Sequence, residues 1–310
     1  MSVIAAPPSV LRPRFRISRF FLHGFLISMV LVWLFPLFWA VYSSLRPISD
    51  TIQNGYLSWP SGGLSFVNYQ NFWTQADLPY YYLNTLVIAV PAVVLTLLLA
   101  SMVAFACTQF SWRFNLTTLM VFTAGNLLPP QVIIVPLFRI YLNTPLPMLG
   151  SIDIGRFSFP LLTDNTLLYD QYLGVMLIHV VFQTGFATFV LSNYMKTISK
   201  EITESAIVDG AHVLRIWWNI VLPLCRPALA AMATLLFTFI YNDFFWALLL
   251  MKTGDRRPIT SALNNLQGEF FVNNNMIAAG AMLVAIPPIL VYIFLQKQFI
   301  AGLTLGSTKG

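Results

Sequence analysis

"ESAIVDGAHVLRIWWNIVLPL", residues 204–224, places two carboxylates, a histidine, an arginine and an Asp-Gly pair between two long apolar runs. Those runs, 172–195 and 226–251, each supply the ~20 predominantly apolar residues that a helix needs to cross a bilayer. The polar stretch therefore reads as the loop that carries the chain from one span to the next. Further outward, four more apolar runs lie at 20–44, 82–108, 114–141 and 276–298. The run 114–141 contains Pro129, Pro130 and Pro136, and the last contains Pro287 and Pro288. Proline removes a helix hydrogen bond, so both runs are expected to be kinked or broken, with neighbouring helices or water satisfying the freed carbonyls.

Composition points the same way. Of 310 residues, 57% are hydrophobic and 9% charged, with a mean hydropathy of +0.73. A soluble domain carries about 25% charged residues. The expected architecture is an all-α integral membrane protein with six transmembrane helices. Residues 1–19 form an N-terminal cytoplasmic segment, 20–300 the transmembrane domain with its loop at 196–225, and 301–310 a cytoplasmic tail. The first apolar run is too long for a cleaved signal and no A-x-A-like site follows it, so it is read as a retained span.

An even number of spans puts both termini on one side. With the N-terminus inside, Arg46, Arg139, Arg156, Lys252, Arg256 and Arg257 fall outside and the rest of the 17 Lys and Arg fall inside, the bias typical of cytoplasmic segments. The net charge of +6 is then a matter of orientation in the bilayer, not of nucleic acid. Cys107 and Cys225 lie in or beside apolar runs and read as packing residues.

Catalytic patterns are missing. There is no G-x-x-x-x-G-K-[ST] loop to cradle a nucleotide phosphate, no H-E-x-x-H and no G-x-S-x-G. The chain is not expected to be an enzyme or to bind a cofactor or metal. Energy for any uphill work must come from a partner or an ion gradient.

Within the loop, Ser199 can cap a short helix over 200–208, with Glu201 favourable in its first turn. Asp209-Gly210 is a turn pair. Val213, Ile216, Trp217, Ile220 and Val221 then share one helical face, Pro223 ends that segment and Pro227 starts the next span. Small residues Ser205, Ala206 and Ala211 permit close approach of another protein, and Glu204 and Asp209 offer charge-assisted bonds to a basic one. A helix lying on lipid is the plainer alternative, although two acids suit an anionic leaflet poorly.

At bilayer depth, polar groups are candidates for function or for holding helices together. Asp243 is the clearest, with Asn242, Tyr241 and Trp246 beside it. Asn84 and Gln183 are further candidates for a substrate pathway, and Asn126, Gln131 and Asn193 are weaker ones. A sugar needs paired donors and acceptors plus an aromatic face, and Asn242, Tyr241 and Trp246 are residues of those types.

The stretch "ESAIVDGA" (204–211) followed by "IVLPLCRP" (220–227) resembles the E-A-A-x-x-x-G motif, continuing to I-x-L-P, of permease subunits of bacterial ABC importers. "PLFWAVYSSLRP" (36–47), "YYLNTLVIA" (81–89), "YNDFFWALLL" (241–250) and "GLTLGSTKG" (302–310) resemble successive segments of the carbohydrate-uptake branch, in particular the maltose-type second permease with six spans. The resemblance runs nearly end to end. It implies that 204–223 is a coupling helix docked on a cytoplasmic ATPase, with Glu204, Ser205, Ala206, Asp209, Gly210, Ala211 and Pro223 at the matching positions. It also implies that the tail, through Gly302, Leu303, Gly306 and Lys309, reaches that ATPase. The implied partners are a second permease subunit, two copies of the ATPase holding ATP and Mg, an extracytoplasmic solute-binding protein, a carbohydrate and membrane lipid, at the bacterial inner membrane.

Some positions depart from the family pattern. Ser205 stands for the usual alanine, Ser199 for a common proline, Tyr241 and Ala247 for a common Trp and Pro, and the loop 142–171 is longer than usual. Two rival functions remain open at this level. One is an ion-coupled secondary transporter using Asp243, and the other is a membrane scaffold.

Overall fold

The computed structural model describes residues 17–75, 78–125, 129–147, 149–155, 157–162, 167–261 and 273–304. The chain is mostly helical. In order it forms α1 (Ile17–Ser44), α2 (Ile48–Asn54), α3 (Val67–Gln75), α4 (Leu78–Gln109), α5 (Asn115–Ala124), α6 (Ile134–Asn143), a hairpin of β1 (Gly150–Ile154) and β2 (Phe157–Leu162), and α7 (Tyr172–Met195). Then come α8 (Lys200–Val208), α9 (Val213–Ile216), α10 (Leu222–Leu224), α11 (Arg226–Tyr241), α12 (Phe245–Leu250) and α13 (Asn274–Thr304). Among the described residues, four helices are long and apolar enough to cross a membrane: α1, α4, α7 and α13. The bent pair Val213–Leu224 and Arg226–Tyr241 makes a fifth if it is counted as one span.

Of the two proline-bearing runs expected to be kinked or broken, 114–141 is interrupted and 276–298 is one continuous helix, while 226–251 is interrupted where no break was expected. The described part of the run 114–141 holds two ten-residue helices, α5 and α6, with a 3-10 turn at Pro130–Ile133 leading into the second. Each rises only ~15 Å, half the hydrocarbon core. Pro129 and Pro130 have no N–H to continue a helix, whereas Pro136 sits in the first turn of α6, where none is needed. The run 226–251 stops at Tyr241 and restarts at Phe245, because the Asp243 carboxylate accepts the backbone N–H groups of Trp246 (3.4 Å) and Ala247 (3.2 Å) and so caps a new helix. The last run goes the other way, since α13 continues unbroken past Pro287 and Pro288. Those prolines free the carbonyls of Leu283 and Val284, four residues back. The Tyr82 hydroxyl of α4 donates to the first, and the Tyr241 hydroxyl of α11 donates to the second at 3.0 Å.

The core is built on α4 and α7. Along α4, Ala89, Ala92, Thr96, Ala100 and Ala104 recur at three- and four-residue spacing and are fully buried. On α7, Gly174, Gly185, Ala187 and Thr188 are buried too. Small faces let backbones approach, which is how membrane helices gain packing energy without a hydrophobic drive. The two helices run parallel and are fastened at both ends. Near their N-termini the Tyr172 hydroxyl donates to Asn84 Oδ1 (2.7 Å), and near their C-termini Gln109 Nε2 donates to the Met195 carbonyl (3.1 Å).

The hairpin lies in the long segment 142–171, and its Phe159 is fully buried, stacked on Tyr80 at 5.8 Å and edge-on to Tyr172 at 5.9 Å. Asp170, with φ +62, makes the turn into α7. Its carboxylate accepts the backbone N–H groups of Lys252 (2.8 Å) and Thr253 (2.9 Å) and the Thr253 hydroxyl (2.6 Å), tying that turn to the segment after α12. Just beyond it, a methyl on Gly174 would run into the Leu168 carbonyl oxygen, a backbone atom with nowhere to go. Gly174→Ala is therefore expected to destabilise the protein by about 1–3 kcal/mol through overpacking, read as a lower unfolding temperature of the detergent-purified chain.

On the same side, Arg46 is the largest fully buried side chain among the described residues, 1% exposed. It pairs with Asp50, donates to the carbonyls of Gly55 (2.9 Å) and Tyr56 (3.2 Å), and reaches Ser58 Oγ (2.6 Å). Asn68 and Asn275 close over its own carbonyl at 2.8 and 2.7 Å. The loop after α1 is thus wound around one guanidinium.

Candidate functional site

The segment between α7 and α11 is built from local side-chain choices. Ser199 is the N-cap of α8: its Oγ accepts the Glu201 N–H at 3.3 Å and also bonds the Glu201 carboxylate. The helix ends at Val208 in a Schellman closure. Gly210 N–H donates to the Ile207 carbonyl and Ala211 N–H to the Ala206 carbonyl, both at 2.9 Å. That closure requires a left-handed residue, and Gly210 supplies it at φ +80, which an L side chain resists by about 1–2 kcal/mol. Thr203 and Ala206, three residues apart, face the protein, while Glu201, Glu204, Ser205 and Val208 face solvent. Val208 is 87% exposed, an apolar side chain held out beside carboxylates.

The return limb starts at His212, whose Nδ1 accepts the Leu214 N–H at 3.3 Å. α9 leads into a π-helical stretch, Trp217–Val221, and then α10. The wide turn precedes Pro223, which lacks an N–H and would press on the carbonyl four residues back in an ordinary helix. Helix therefore runs through Pro223 to Leu224, one residue past the expected end. Of the expected apolar face, Ile216, Trp217 and Val221 are buried, Ile220 is half-buried and Val213 is 43% exposed. The axis then turns by 80° into α11, where Pro227 occupies the first turn. The result is a protruding knuckle that presents Glu204, Ser205, Asp209 and Gly210 outward, keeps Ala206 against the protein and leaves Ala211 and Pro223 half-buried.

Two residues of the site carried no sequence signal. Gln109, the last residue of α4 and 7% exposed, accepts the Thr203 hydroxyl at 3.0 Å while donating to Met195. His179 of α7, 4% exposed, brings Nε2 to 3.6 Å from Asp243. Nothing in a single sequence pairs residues 94 or 64 positions apart.

The candidates at bilayer depth do not form one cluster. Asn84 is fully buried and engaged three ways, by Tyr172 and by the carbonyls of Asp255 (2.7 Å) and Arg257 (3.0 Å). Tyr241 is spent on the Val284 carbonyl, and Trp246 packs on Phe182 at 5.4 Å. Asn242 is exposed but bonds back to the Thr238 carbonyl, and Gln183 is half-buried. Asn193 is exposed at the C-terminal end of α7. A cavity of about 250 Å³ opens against Phe182, Gly185 and Phe122, one turn along α7 from His179. Asn126, Gly306 and Lys309 lie outside the described residues, and Gly302 and Leu303 fall in the last turn of α13.

Residues 75–304 match the family described as "Binding-protein-dependent transport system inner membrane component". The chain belongs to that family. It is 27% identical over 300 residues to the arabinooligosaccharides transport system permease protein AraQ of Bacillus subtilis, covering 96% of this chain and 98% of that one. It is 32% identical to the alpha-glucoside transport system permease protein AglG of Rhizobium meliloti, over 78% of this chain and 60% of that one. Among solved structures, a chain of a bacterial ABC transporter that imports the acidic polysaccharide alginate superposes with a TM-score of 0.71 at 20% identity, covering 93% and 100% of the two chains. The fold of a multi-pass permease is thereby shared.

Proposed function

We propose that this inner-membrane permease is one subunit of an ATP-driven carbohydrate importer. It forms half of the translocation pathway, with six spans and both termini in the cytoplasm. The knuckle 196–225 is its contact with a cytoplasmic ATPase. ATP binding closes the ATPase pair, the knuckles of this chain and a second permease move together, and the pathway opens outward to receive sugar from a solute-binding protein. Hydrolysis returns it inward. Hydrolysis itself takes place on the partner, which holds ATP and Mg.

The observation that carries this reading is the shape of the knuckle. A capped helix exposing carboxylates and Val208 is followed by an 80° turn into a span, a geometry suited to receiving a push and passing it on. The saccharide transport named for AraQ and AglG supports a carbohydrate as the cargo. α5 and α6 together then make the third span, and α11 and α12 the fifth.

The His179–Asp243 pair is what an ion-coupled transporter would use instead. Uptake that survives loss of ATP but collapses with the ion gradient would favour that rival. The direct test of the coupling reading is Ser205→Cys. The cysteine is expected to react with a membrane-impermeant maleimide in inside-out vesicles only, and to cross-link to the co-purifying ATPase. Labelling from the external face would overturn it.

A further inference from the structure

We infer that Gln109 is the joint through which α8 moves the second span, α4, and not only the fourth, α7, to which it is covalently attached. This rests on the coupling reading above and extends it to a residue outside the loop.

The geometry points to this role in three ways. First, α8 follows α7 after only residues 196–199, so a push on α8 reaches α7 through the chain itself. Its side-chain link to α4 runs through Thr203, 1% exposed, whose hydroxyl donates to Gln109 Oε1. Second, the carboxamide is used on both sides. Oε1 accepts from α8 and Nε2 donates to the end of α7, so one planar group locks three helix ends together. The Met195 carbonyl also takes the Ile198 N–H at 3.1 Å, so both its lone pairs are used at this corner. Third, what lies beyond the joint is stiff. α4 and α7 pack along their length and are fastened again near their N-termini by Asn84 and Tyr172. Asn84 there also holds the carbonyls of Asp255 and Arg257. A displacement delivered at Gln109 therefore arrives some 25 residues away at the opposite end of the pair, about 37 Å along a helix.

Neighbouring polar groups do not compete for this role. Thr108 Oγ1 is turned back to the Ala104 carbonyl at 2.7 Å, and Tyr194 reaches the Leu224 carbonyl at 3.4 Å. The Trp217–Val221 stretch also packs against α4, and its buried residues, Trp217 and Val221, belong to the apolar core.

The test uses the whole importer, this chain with its second permease and ATPase, in lipid nanodiscs. Spin labels at Lys200→Cys, on α8, and Ser111→Cys, just past α4, report whether the two move as one. A label pair across the ATPase dimer reports closure on adding ATP in every sample. In the otherwise native chain the Lys200–Ser111 distance is expected to stay constant on ATP closure. With Gln109→Leu or Thr203→Val it is expected to change by about 2 Å or more, the scale of helix shifts at packed interfaces, while the ATPase still co-purifies. Thr203→Ser, which keeps the hydroxyl, is expected to behave as the native chain. Thr203→Val conserves volume and guards against a folding defect in Gln109→Leu. A native distance that already changes on closure, or variants in which it stays constant, would overturn the joint. Failure of the native chain to co-purify with the ATPase would overturn the coupling reading instead, and is scored separately.

Discussion

Glu204→Lys is expected to weaken binding of the cytoplasmic ATPase by about a hundredfold or more, while the chain still inserts in the membrane. Glu204 stands on the exposed face of α8 with Ser205 and Val208, so its replacement disturbs no internal contact of the fold. In the proposed complex its carboxylate pairs a basic group. Truncating one partner of a buried interfacial charge pair costs ~2–5 kcal/mol, and a like charge adds to that. About 3 kcal/mol already corresponds to more than a hundredfold in affinity. Co-purification of the ATPase from detergent-solubilised membranes, together with ATP-dependent uptake, measures it. Normal co-purification and uptake by this variant would remove the coupling role from α8.

The second large effect is expected at the other end of the molecule. Arg46→Met removes the buried guanidinium around which the loop after α1 is wound. The carbonyls of Gly55 and Tyr56 lose their donor and the methionine cannot replace it. The expected cost is ~3 kcal/mol, a large fraction of the stability of an ordinary domain. It should appear as protease cleavage within residues 55–66, where Leu57 and Trp59 are already exposed. The partner carboxylate of Asp50 is held well below the ordinary carboxylate range, first by Ser61 and then by Arg46. A lowered folded-state pKa means its contribution is complete above the unfolded value near pH ~4 and is lost only as the pH falls below that. The native loop should resist protease equally from pH 5 to 8, and loosen only in stronger acid.

What could be read from the chain beforehand follows the range of the interactions. Ser199 capping Glu201 and Gly210 closing the helix are decided within a few residues, and the short helix over 200–208 is found at Lys200–Val208. Long apolar runs announce themselves equally well, as α4, α7 and α13 show. Breaks inside a run are harder. Hydropathy averages over Asn242-Asp243-Phe244 and returns one span, because the cap that restarts α12 is made by a carboxylate that also looks like a binding residue. Proline is ambiguous in a related way. The α-helix is interrupted at Pro129–Pro130 but continues through Pro287–Pro288, where α4 and α11 bring donors to the freed carbonyls. Gln109 with Thr203 and His179 with Asp243 were not legible at all, since periodicity says which face is buried but not against what.

The Pro287–Pro288 pair has a consequence for biogenesis. Inserted alone, α13 would hold the Leu283 and Val284 carbonyls bare in hydrocarbon, each at a cost of several kcal/mol. Its two donors come from α4 and α11, which leave the ribosome earlier. The late helix thus enters a bundle where both hydroxyls already wait. A slip of one turn would carry the carbonyls ~5.4 Å away from both. Two residues that would weaken most helices act here as a key, setting when α13 docks and at which height it comes to rest.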